Sequence, residues 1–243
     1  MIARLSPAAG PVAGPVAGPA DDDDAAQAYA RFGAEPPRDC PLCPRLVAYR
    51  LENRAALPQG WNGPAPSWGD PDARLLVVGL APGRMGANLT GRPFTGDYAG
   101  ALLYATLGRF GFARGTYGAR ADDGLRLVDA MITNAVRCAP PGNRPMPAEE
   151  ATYRPFLAAR LAALPRLRAV VTLGDVARKN VLKALGARPD IMAAGHGVEA
   201  EIGALRLFGS YHCSRLNTNT GRLTIPMFEA VFARVRALLD AAA

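Results

Sequence analysis

The sequence lacks several features, and each absence argues against one class of protein. No apolar run approaches the roughly 20 residues of a membrane helix, and the N-terminus has no charged segment followed by an apolar one. We therefore expect neither an integral membrane protein nor a secretory signal. Four cysteines are too few for a disulfide-stapled secreted fold. Aromatic residues make up only 7% of the chain and form no ladder with basic residues, so a single-strand binder that stacks bases on repeated aromatics ranks last.

Lysine is almost absent, although the chain is basic. Of 28 basic residues only Lys179 and Lys183 are lysines, and the other 26 are arginines. Arginine suits phosphate recognition, but GC-rich coding is the better explanation of the ratio itself. The formal charge of +7 favours a polyanionic partner, with nucleic acid first.

Residues 1–30 differ in composition from the rest of the chain. They hold the stretch AAGPVAGPVAGPA followed by four aspartates, which favours a disordered tail. Besides the aspartates, the only charged residue in the segment is Arg4, so residues 31–243 keep 27 basic and 17 acidic residues, a net charge of +10. We expect these residues to form one catalytic domain, a monomer in the cytoplasm that associates with a prokaryotic nucleoid.

Short apolar runs alternate with segments of helical character. This order predicts an α/β fold with a mostly parallel, four-stranded sheet covered on both faces. The predicted strands are 75–80, 131–136, 169–173 and 205–211, and the predicted helices are 98–110, 148–164, 175–185 and 224–239. Ligands of such sheets bind at the carboxyl ends of the strands, which directs attention to the segments 81–97, 134–147 and 212–222.

The first of these regions is the glycine-rich segment GLAPGRMGANLTGRPFTGD, residues 79–97. It lacks both the Gly-Lys-Ser/Thr ending of a phosphate loop and the dinucleotide pattern GxGxxG. Its glycines allow close backbone approach to a ligand. Phe94 fits core packing as well as a ligand contact, and Asp97 fits a helix N-cap as well as a catalytic carboxylate. The two roles of Asp97 are compatible.

Polar side chains mark the other two regions. Asn134 falls within an apolar run, where an unpaired amide is costly, so it needs an internal partner or a ligand. An amide both donates and accepts, as the edge of a nucleobase requires. His212 ends the last predicted strand, whereas His196 lies between glycines and fits a structural role.

The cysteines give a weaker signal. Cys40 and Cys43 have the CxxC spacing that allows two thiolates to reach one metal or cluster. Cys138 follows the second predicted strand and Cys213 follows the fourth. A lone CxxC is also found in redox sites, and Cys213 fits a small buried residue.

Four of these stretches together resemble family 5 (type b, iron–sulfur) of the uracil-DNA glycosylase superfamily: CPLCPRL, GLAPGRMGANLTGRPFTGD, TNAVRCAPP and YHCSRLNTNTGRLT. They extend in the family's order from about residue 40 to residue 235. The resemblance implies a three-layer α/β/α sandwich, a [4Fe–4S] cluster and hydrolysis of the N-glycosidic bond of uracil in DNA. It further implies a base flipped out of the duplex, with other deaminated bases as additional substrates.

The resemblance assigns roles to individual residues. Phe94 would stack on the flipped base, Asn134 would bind its polar edge, and His212 would donate to uracil O2. Gly79, Ala81 and Gly83 would line the same pocket. In the following loop, Arg215, Asn217 and Arg222 would meet DNA, and Leu216 would wedge into the gap left by the base.

Two departures from the family pattern leave alternatives open. Related families place an acid or amide where this chain has Ala81, so Asp97 becomes the candidate that orients or deprotonates the water. Cys40, Cys43 and Cys138 match three cluster ligands, but Tyr153 stands where the fourth cysteine belongs. Cys213 completes the set, a non-cysteine ligand does so, or the cluster is weakened or lost.

These departures also leave a second functional hypothesis. A non-catalytic protein of the same fold that binds uracil-containing or otherwise damaged DNA is the alternative to a monofunctional glycosylase. No lyase activity is expected, because the motifs contain no lysine for a Schiff base.

Overall fold

A computed structural model describes residues 33–241. The tail predicted for residues 1–30 lies outside the described residues. Within the described part of the chain, no helix is both long enough and apolar enough to cross a membrane.

A six-stranded sheet forms the centre of the molecule. Its four inner strands run parallel in the order β5-β2-β6-β8, and a short antiparallel strand is added at each edge, β1 beside β5 and β7 beside β8. The strands are β1 Trp68–Gly69, β2 Leu75–Gly79, β5 Ala130–Asn134, β6 Ala169–Leu173, β7 Glu199–Ile202 and β8 Leu205–Ser210, and a separate two-stranded ribbon joins β3 Ala113–Arg114 to β4 Arg126–Leu127.

The inner strands confirm the mostly parallel sheet, but the prediction of four strands was wrong. β2, β5 and β6 are buried along their whole length, which produces the continuous apolar runs of the sequence. The two edge strands do not form continuous apolar runs, because β1 has only two residues and β7 is only partly buried.

Helices cover both faces of the sheet, as the α/β/α prediction requires. The helices are α1 Pro44–Ala56, α2 Ala87–Thr90, α3 Tyr98–Arg109, α4 Pro147–Ala162, α5 Asp175–Ala184, α6 Arg215–Asn219 and α7 Ile225–Ala241. Four of them, α3, α4, α5 and α7, lie within two residues of the predicted bounds. The sequence analysis did not predict α1, α2 and α6.

Alternating residues of the strands divide the core into two layers. Leu75 and Val77 of β2 pack with α3 and α7, whereas Leu76 and Val78 pack with α4 and α5. A third, smaller cluster joins Leu46 of α1 to Tyr153 and Phe156 in the middle of α4. Because the inner strands are parallel, the loops after β2, β5 and β8 leave the same edge of the sheet, where the site described next is built.

Candidate active site

A cavity of about 820 Å³ opens at the carboxyl edge of the sheet. Its wall combines residues from the loops after β2, β5 and β8, which are the three regions that the sequence analysis selected. The site candidates on this wall are Ala81, Gly83, Phe94, Asp97, Asn134, His212, Arg215 and Leu216. The fold therefore brings together side chains that are up to 135 positions apart in the chain, counted from Ala81 to Leu216.

Phe94 is held in an unusual backbone conformation. Its φ is 53°, a left-handed value that is unfavourable for a side-chain-bearing residue, yet the residue is buried. The Tyr117 hydroxyl donates to the Phe94 carbonyl oxygen at 3.2 Å and accepts from the Gly96 amide at 3.3 Å. A Cβ on Gly79 would lie 2.5 Å from Cζ of Phe94, so only glycine leaves room for the ring. The surroundings thus fix the ring at the cavity wall.

Asn134 is the last residue of β5 and is buried, with 3% of its surface exposed. Within residues 33–241, its side-chain amide has no protein hydrogen-bond partner, although it borders the cavity. A Cβ on Gly79, its register partner in β2, would lie 2.5 Å from its Oδ1. An amide at this depth, with no partner among the described residues, is available to a ligand.

His212 follows β8 and stacks beside Phe94. The two ring centroids are 5.9 Å apart and the interplanar angle is 26°. Burial lowers the pKa of His212 below 6.5, while the Asp97 carboxylate acts in the opposite direction. The imidazole is therefore neutral at pH 7 and presents one N–H donor.

Asp97 is the N-cap of α3, as one of its two predicted roles required. Its Oδ1 accepts from the Gly100 amide at 3.0 Å. Its other oxygen, Oδ2, faces the glycine-rich loop, 3.6 Å from the position that a Cβ on Gly83 would occupy. The residue is exposed at the cavity wall, so a single carboxylate caps the helix with one oxygen and leaves the other toward the cavity.

Gly79 differs from the other proposed lining residues. Ala81 and Gly83 belong to the cavity wall, whereas Gly79 lies behind Phe94 and Asn134 and does not border the cavity. Its contribution is the space that these two side chains need.

The four candidate DNA contacts fall into two groups. Arg215 and Leu216 lie at the cavity, and Leu216 is 72% exposed. Asn217 and Arg222 line a separate cavity of about 320 Å³ on the other side of His212. The Asn217 amide donates to the His212 carbonyl oxygen at 2.8 Å, and the Arg222 guanidinium lies 4.5 Å from the centre of the Tyr211 ring. Asn217 thus supports the catalytic candidate His212 from behind.

His196 has the structural role expected from its glycine-flanked position. Its Nε2 lies 3.1 Å from the Met227 carbonyl oxygen, and its Nδ1 lies 3.3 Å from the Ser210 hydroxyl. It connects the end of β8 to the first turn of α7.

Cys40, Cys43 and Cys138 are buried, and Cys40 and Cys138 both lie near Cys43. Cys43 and Cys138 pack in one cluster with Tyr153 and Phe156. Burial raises the pKa of Cys43 to about 12, with smaller contributions from the neighbouring Cys40 and Cys138. Across residues 33–241, no three His, Cys, Asp or Glu side chains lie close enough to share a single metal ion. In an iron–sulfur cluster each thiolate binds a different iron, and the three buried thiols fit that donor chemistry.

Cys213 lies in a different part of the molecule. Its thiol is buried in the core layer of α3 and α7 and approaches the Ala99 carbonyl oxygen at 3.5 Å. It stands apart from Cys40, Cys43 and Cys138, so the possibility that it completes their set does not agree with the fold. Tyr153, the other candidate position, contacts Cys138 directly.

The structure adds residues that the sequence analysis missed. Met85 and Tyr98 place exposed apolar surface at the cavity, and Asn143 enters the wall from the loop after β5. Tyr117 supports Phe94 from 23 positions away. Glycines around residue 85 signalled a functional loop, but no pattern in the sequence connects Tyr117 to Phe94.

The sequence is similar to a known protein family and to several named relatives. The sequence profile described as "Uracil DNA glycosylase superfamily" matches residues 66–236. The chain is similar to the type-5 uracil-DNA glycosylase of Thermus thermophilus, at 44% identity over 82% of this chain and 93% of the relative. Similar proteins named type-5 uracil-DNA glycosylase come from Mycobacterium bovis, at 45% identity over 82% of this chain and 78% of the relative, and from Pyrobaculum aerophilum, at 43% over 82% and 88%.

The profile covers most of the described chain, and the similarity to the three type-5 enzymes extends over four fifths of the sequence. The chain therefore belongs to the uracil DNA glycosylase superfamily and, within it, to the type-5 family.

Proposed function

We propose that this protein excises uracil from DNA by hydrolysing its N-glycosidic bond and leaves an abasic site. The observation that carries the proposal is the convergence on one cavity of the Phe94 ring, the His212 imidazole and the Asn134 amide, which has no hydrogen-bond partner among residues 33–241. A stacking face, a combined donor and acceptor, and a donor for a developing anion are the three groups that this reaction needs. Family membership supports the same conclusion.

Base recognition is assigned to Phe94 and Asn134. Because the glycosidic bond is unreachable within the stacked duplex, the uracil must enter the cavity as a flipped base. There its face stacks on Phe94, and the Asn134 amide donates to uracil O4 and accepts from N3–H. A base with the opposite donor and acceptor pattern leaves the buried amide unpaired and binds less well.

Bond cleavage is assigned to His212. As the C1′–N1 bond breaks, the uracil becomes an anion whose charge lies largely on O2 and O4. The imidazole N–H donates to O2 in a partly buried site, where a preorganised donor stabilises charge more than it does in water. The Asn217 amide, through the His212 carbonyl oxygen, fixes the position of this donor.

The water that attacks C1′ is assigned to Asp97. The Oδ2 atom, free of the helix cap, orients the water and accepts its proton, and the carboxylate also stabilises the cationic sugar. Ala81 contributes only a methyl group to the cavity, and Asp97 is the one carboxylate among the described residues that line it.

Binding to DNA is assigned to the α6 region. Arg215 and Arg222 meet phosphates, and the exposed side chain of Leu216 fills the gap that the flipped base leaves in the stack. No lysine borders the cavity among the residues described, since Lys179 and Lys183 both lie on α5. That arrangement supports a hydrolytic, monofunctional glycosylase that forms no Schiff base with the abasic product.

We further propose that Cys40, Cys43 and Cys138 hold an iron–sulfur cluster. When bound, the cluster would tie the N-terminal segment and α1 to the loop after β5. Buried thiols grouped around Cys43 support this part of the proposal. Anaerobic purification followed by iron and sulfide assays tests it; a colourless, iron-free protein would contradict it.

The activity is tested with duplexes that contain U·G, U·A or hypoxanthine. We expect abasic product from the uracil duplexes, detected by alkaline cleavage, and no covalent adduct after borohydride treatment. Tight binding to uracil DNA without base release would instead favour the non-catalytic alternative. A covalent complex of protein and DNA after borohydride treatment would contradict the monofunctional mechanism.

A further inference from the structure

Tyr153 lies against one of the three clustered cysteines. It belongs to α4, and only 2% of its surface is exposed. Its hydroxyl donates a hydrogen bond to Sγ of Cys138 at 3.0 Å, and its ring packs on Phe156 with the centroids 6.0 Å apart. The phenol is therefore held in place by packing and engaged with a thiol that is itself a proposed ligand.

This contact distinguishes a donor from a ligand. Ligand atoms on different irons of one cluster are separated by the width of the cluster, beyond hydrogen-bond distance. The Tyr153 oxygen instead touches the sulfur of Cys138, so it lies beside an existing ligand and not at a corner of its own. Hydrogen bonds of this kind stabilise the thiolate and raise the reduction potential of the group it holds.

The remaining side chains near the cysteines are already engaged. Both carboxylate oxygens of Glu149 accept from Arg45 at 2.8 Å, and one also accepts from the Met146 amide at 2.7 Å. The Thr152 hydroxyl donates to the Ala148 carbonyl oxygen at 2.9 Å. Arg50, whose Nη1 donates to the Cys40 carbonyl oxygen at 2.9 Å, supplies positive charge to the thiolates but cannot bind a metal.

We propose that three thiolates alone hold a [4Fe–4S] cluster at this site, with Tyr153 as a hydrogen-bond donor to Cys138 and with no ligand from residues 33–241 on the fourth iron. That iron is consequently the one lost first. One-electron oxidation converts [4Fe–4S]²⁺ into [3Fe–4S]⁺ and free Fe²⁺, and an added oxidant such as ferricyanide accepts the electron. The inference rests on the proposed cluster but not on the glycosylase activity.

The test compares the full-length wild-type protein with Tyr153→Cys and Tyr153→Phe, each purified anaerobically. Iron and sulfide are measured per protein before and after one equivalent of ferricyanide, together with the EPR spectrum. In the wild type we expect the loss of about one iron in four and the appearance of the EPR signal of a three-iron cluster. Tyr153→Cys supplies a fourth thiolate, so it keeps its iron and stays EPR-silent under the same treatment.

The Tyr153→Phe variant separates the two roles of the phenol. If Tyr153 is only a hydrogen-bond donor, this variant binds as much iron as the wild type and also loses one iron in four after ferricyanide. The reduction potential of its cluster should be lower than that of the wild type. If iron binding falls in Tyr153→Phe while the wild type retains all its iron after ferricyanide, Tyr153 is a ligand and the proposal is wrong. A wild type without iron and sulfide also overturns it, whereas uracil excision by the same preparation would leave the proposed activity intact.

Discussion

The Phe94 and His212 rings lie nearly parallel, with their centroids 5.9 Å apart. Phe94 comes from the loop after β2 and His212 from the end of β8, so the sheet sets their separation. A planar base that stacks on Phe94 lies within reach of the His212 donor and of the Asn134 amide at the end of β5. Recognition and bond cleavage therefore share one small part of the cavity.

Asp97 combines a helix cap with the proposed catalytic role, and two substitutions separate them. Asp97→Asn retains a capping side chain, so we expect the free energy of unfolding to stay within about 0.5 kcal/mol of the wild type while single-turnover excision falls by about 100-fold. Asp97→Ala should show the same fall in the excision rate and should also lower the free energy of unfolding by about 1 kcal/mol, because the cap is lost. If Asp97→Asn excised uracil at the wild-type rate, Asp97 would have only the capping role and the proposed catalytic role would be wrong.

The protonation of His212 gives a prediction for NMR. Burial lowers its pKa and the Asp97 charge opposes that effect, so Asp97→Asn should lower the pKa further. His196 is the internal control, because its lowered pKa arises from burial and from Arg234 and not from Asp97. Ring ¹⁵N shifts of the two histidines, followed from pH 8 to pH 4.5, measure both values in one sample. An unchanged His212 pKa in Asp97→Asn would contradict the effect of the Asp97 charge on His212.

The same shift predicts how stability depends on pH. Since the folded-state pKa of His212 lies below 6.5, the unfolded chain binds more protons between that pKa and 6.5. The contribution of His212 to stability is therefore complete above pH 6.5 and is lost as the pH falls. In Asp97→Asn, where the pKa of His212 is lower still, stability should continue to fall to a lower pH than in the wild type. Urea titrations at several pH values measure this free energy of unfolding.

Leu216 is expected to act only when a base must leave a stack. Leu216→Ala should lower kcat/KM on a U·A duplex by about 10-fold, because the gap in the stack is no longer filled. On single-stranded uracil DNA its value should equal that of the wild type. Leu51→Ala is the matched control: Leu51 is 54% exposed on α1, away from the cavity, and its truncation should change neither value. An equal loss on both substrates would contradict the wedge.

Arg215 and Arg222 are expected to bind phosphates. Removing either should reduce the slope of log K against log salt by about 0.9 on duplex DNA, since one fewer counterion is released. Arg188→Ala serves as the control, because Arg188 lies in another region and pairs with Asp190 at 3.1 Å. Fluorescence anisotropy at several salt concentrations measures the slope for each variant. An unchanged slope would show that the substituted arginine does not contact a phosphate.

The sequence predicts the parts of the fold that rest on local pattern. The parallel strands are continuous apolar runs because both faces of the sheet are covered, and α3 begins at Asp97 because its carboxylate caps the helix. β7 could not be predicted, because it is a four-residue, partly exposed edge strand that pairs with β8.

The site was predictable only where the motifs carry it. Phe94, Asn134 and His212 were identified from their motifs, but the arrangement that presents them was not. The Tyr117 hydroxyl supports Phe94 in its positive-φ conformation, and Asn217, predicted as a DNA contact, also donates to the His212 carbonyl oxygen. The contact between Tyr153 and Cys138 likewise requires α4 to pack against the loop after β5. Such long-range contacts leave no periodic trace in a sequence.

Single-turnover excision of uracil from a U·G duplex by the wild type, His212→Ala and Asn134→Ala tests the central claim most directly. We expect rapid formation of an abasic site by the wild type and a rate lower by 10²–10³-fold, or roughly 3–4 kcal/mol, in each variant, because each loses a donor used as the bond breaks. Retained folding is checked by an unchanged urea midpoint. Wild-type rates in both variants, or no abasic product from the wild type, would contradict the assignment of this cavity as a uracil-excising active site.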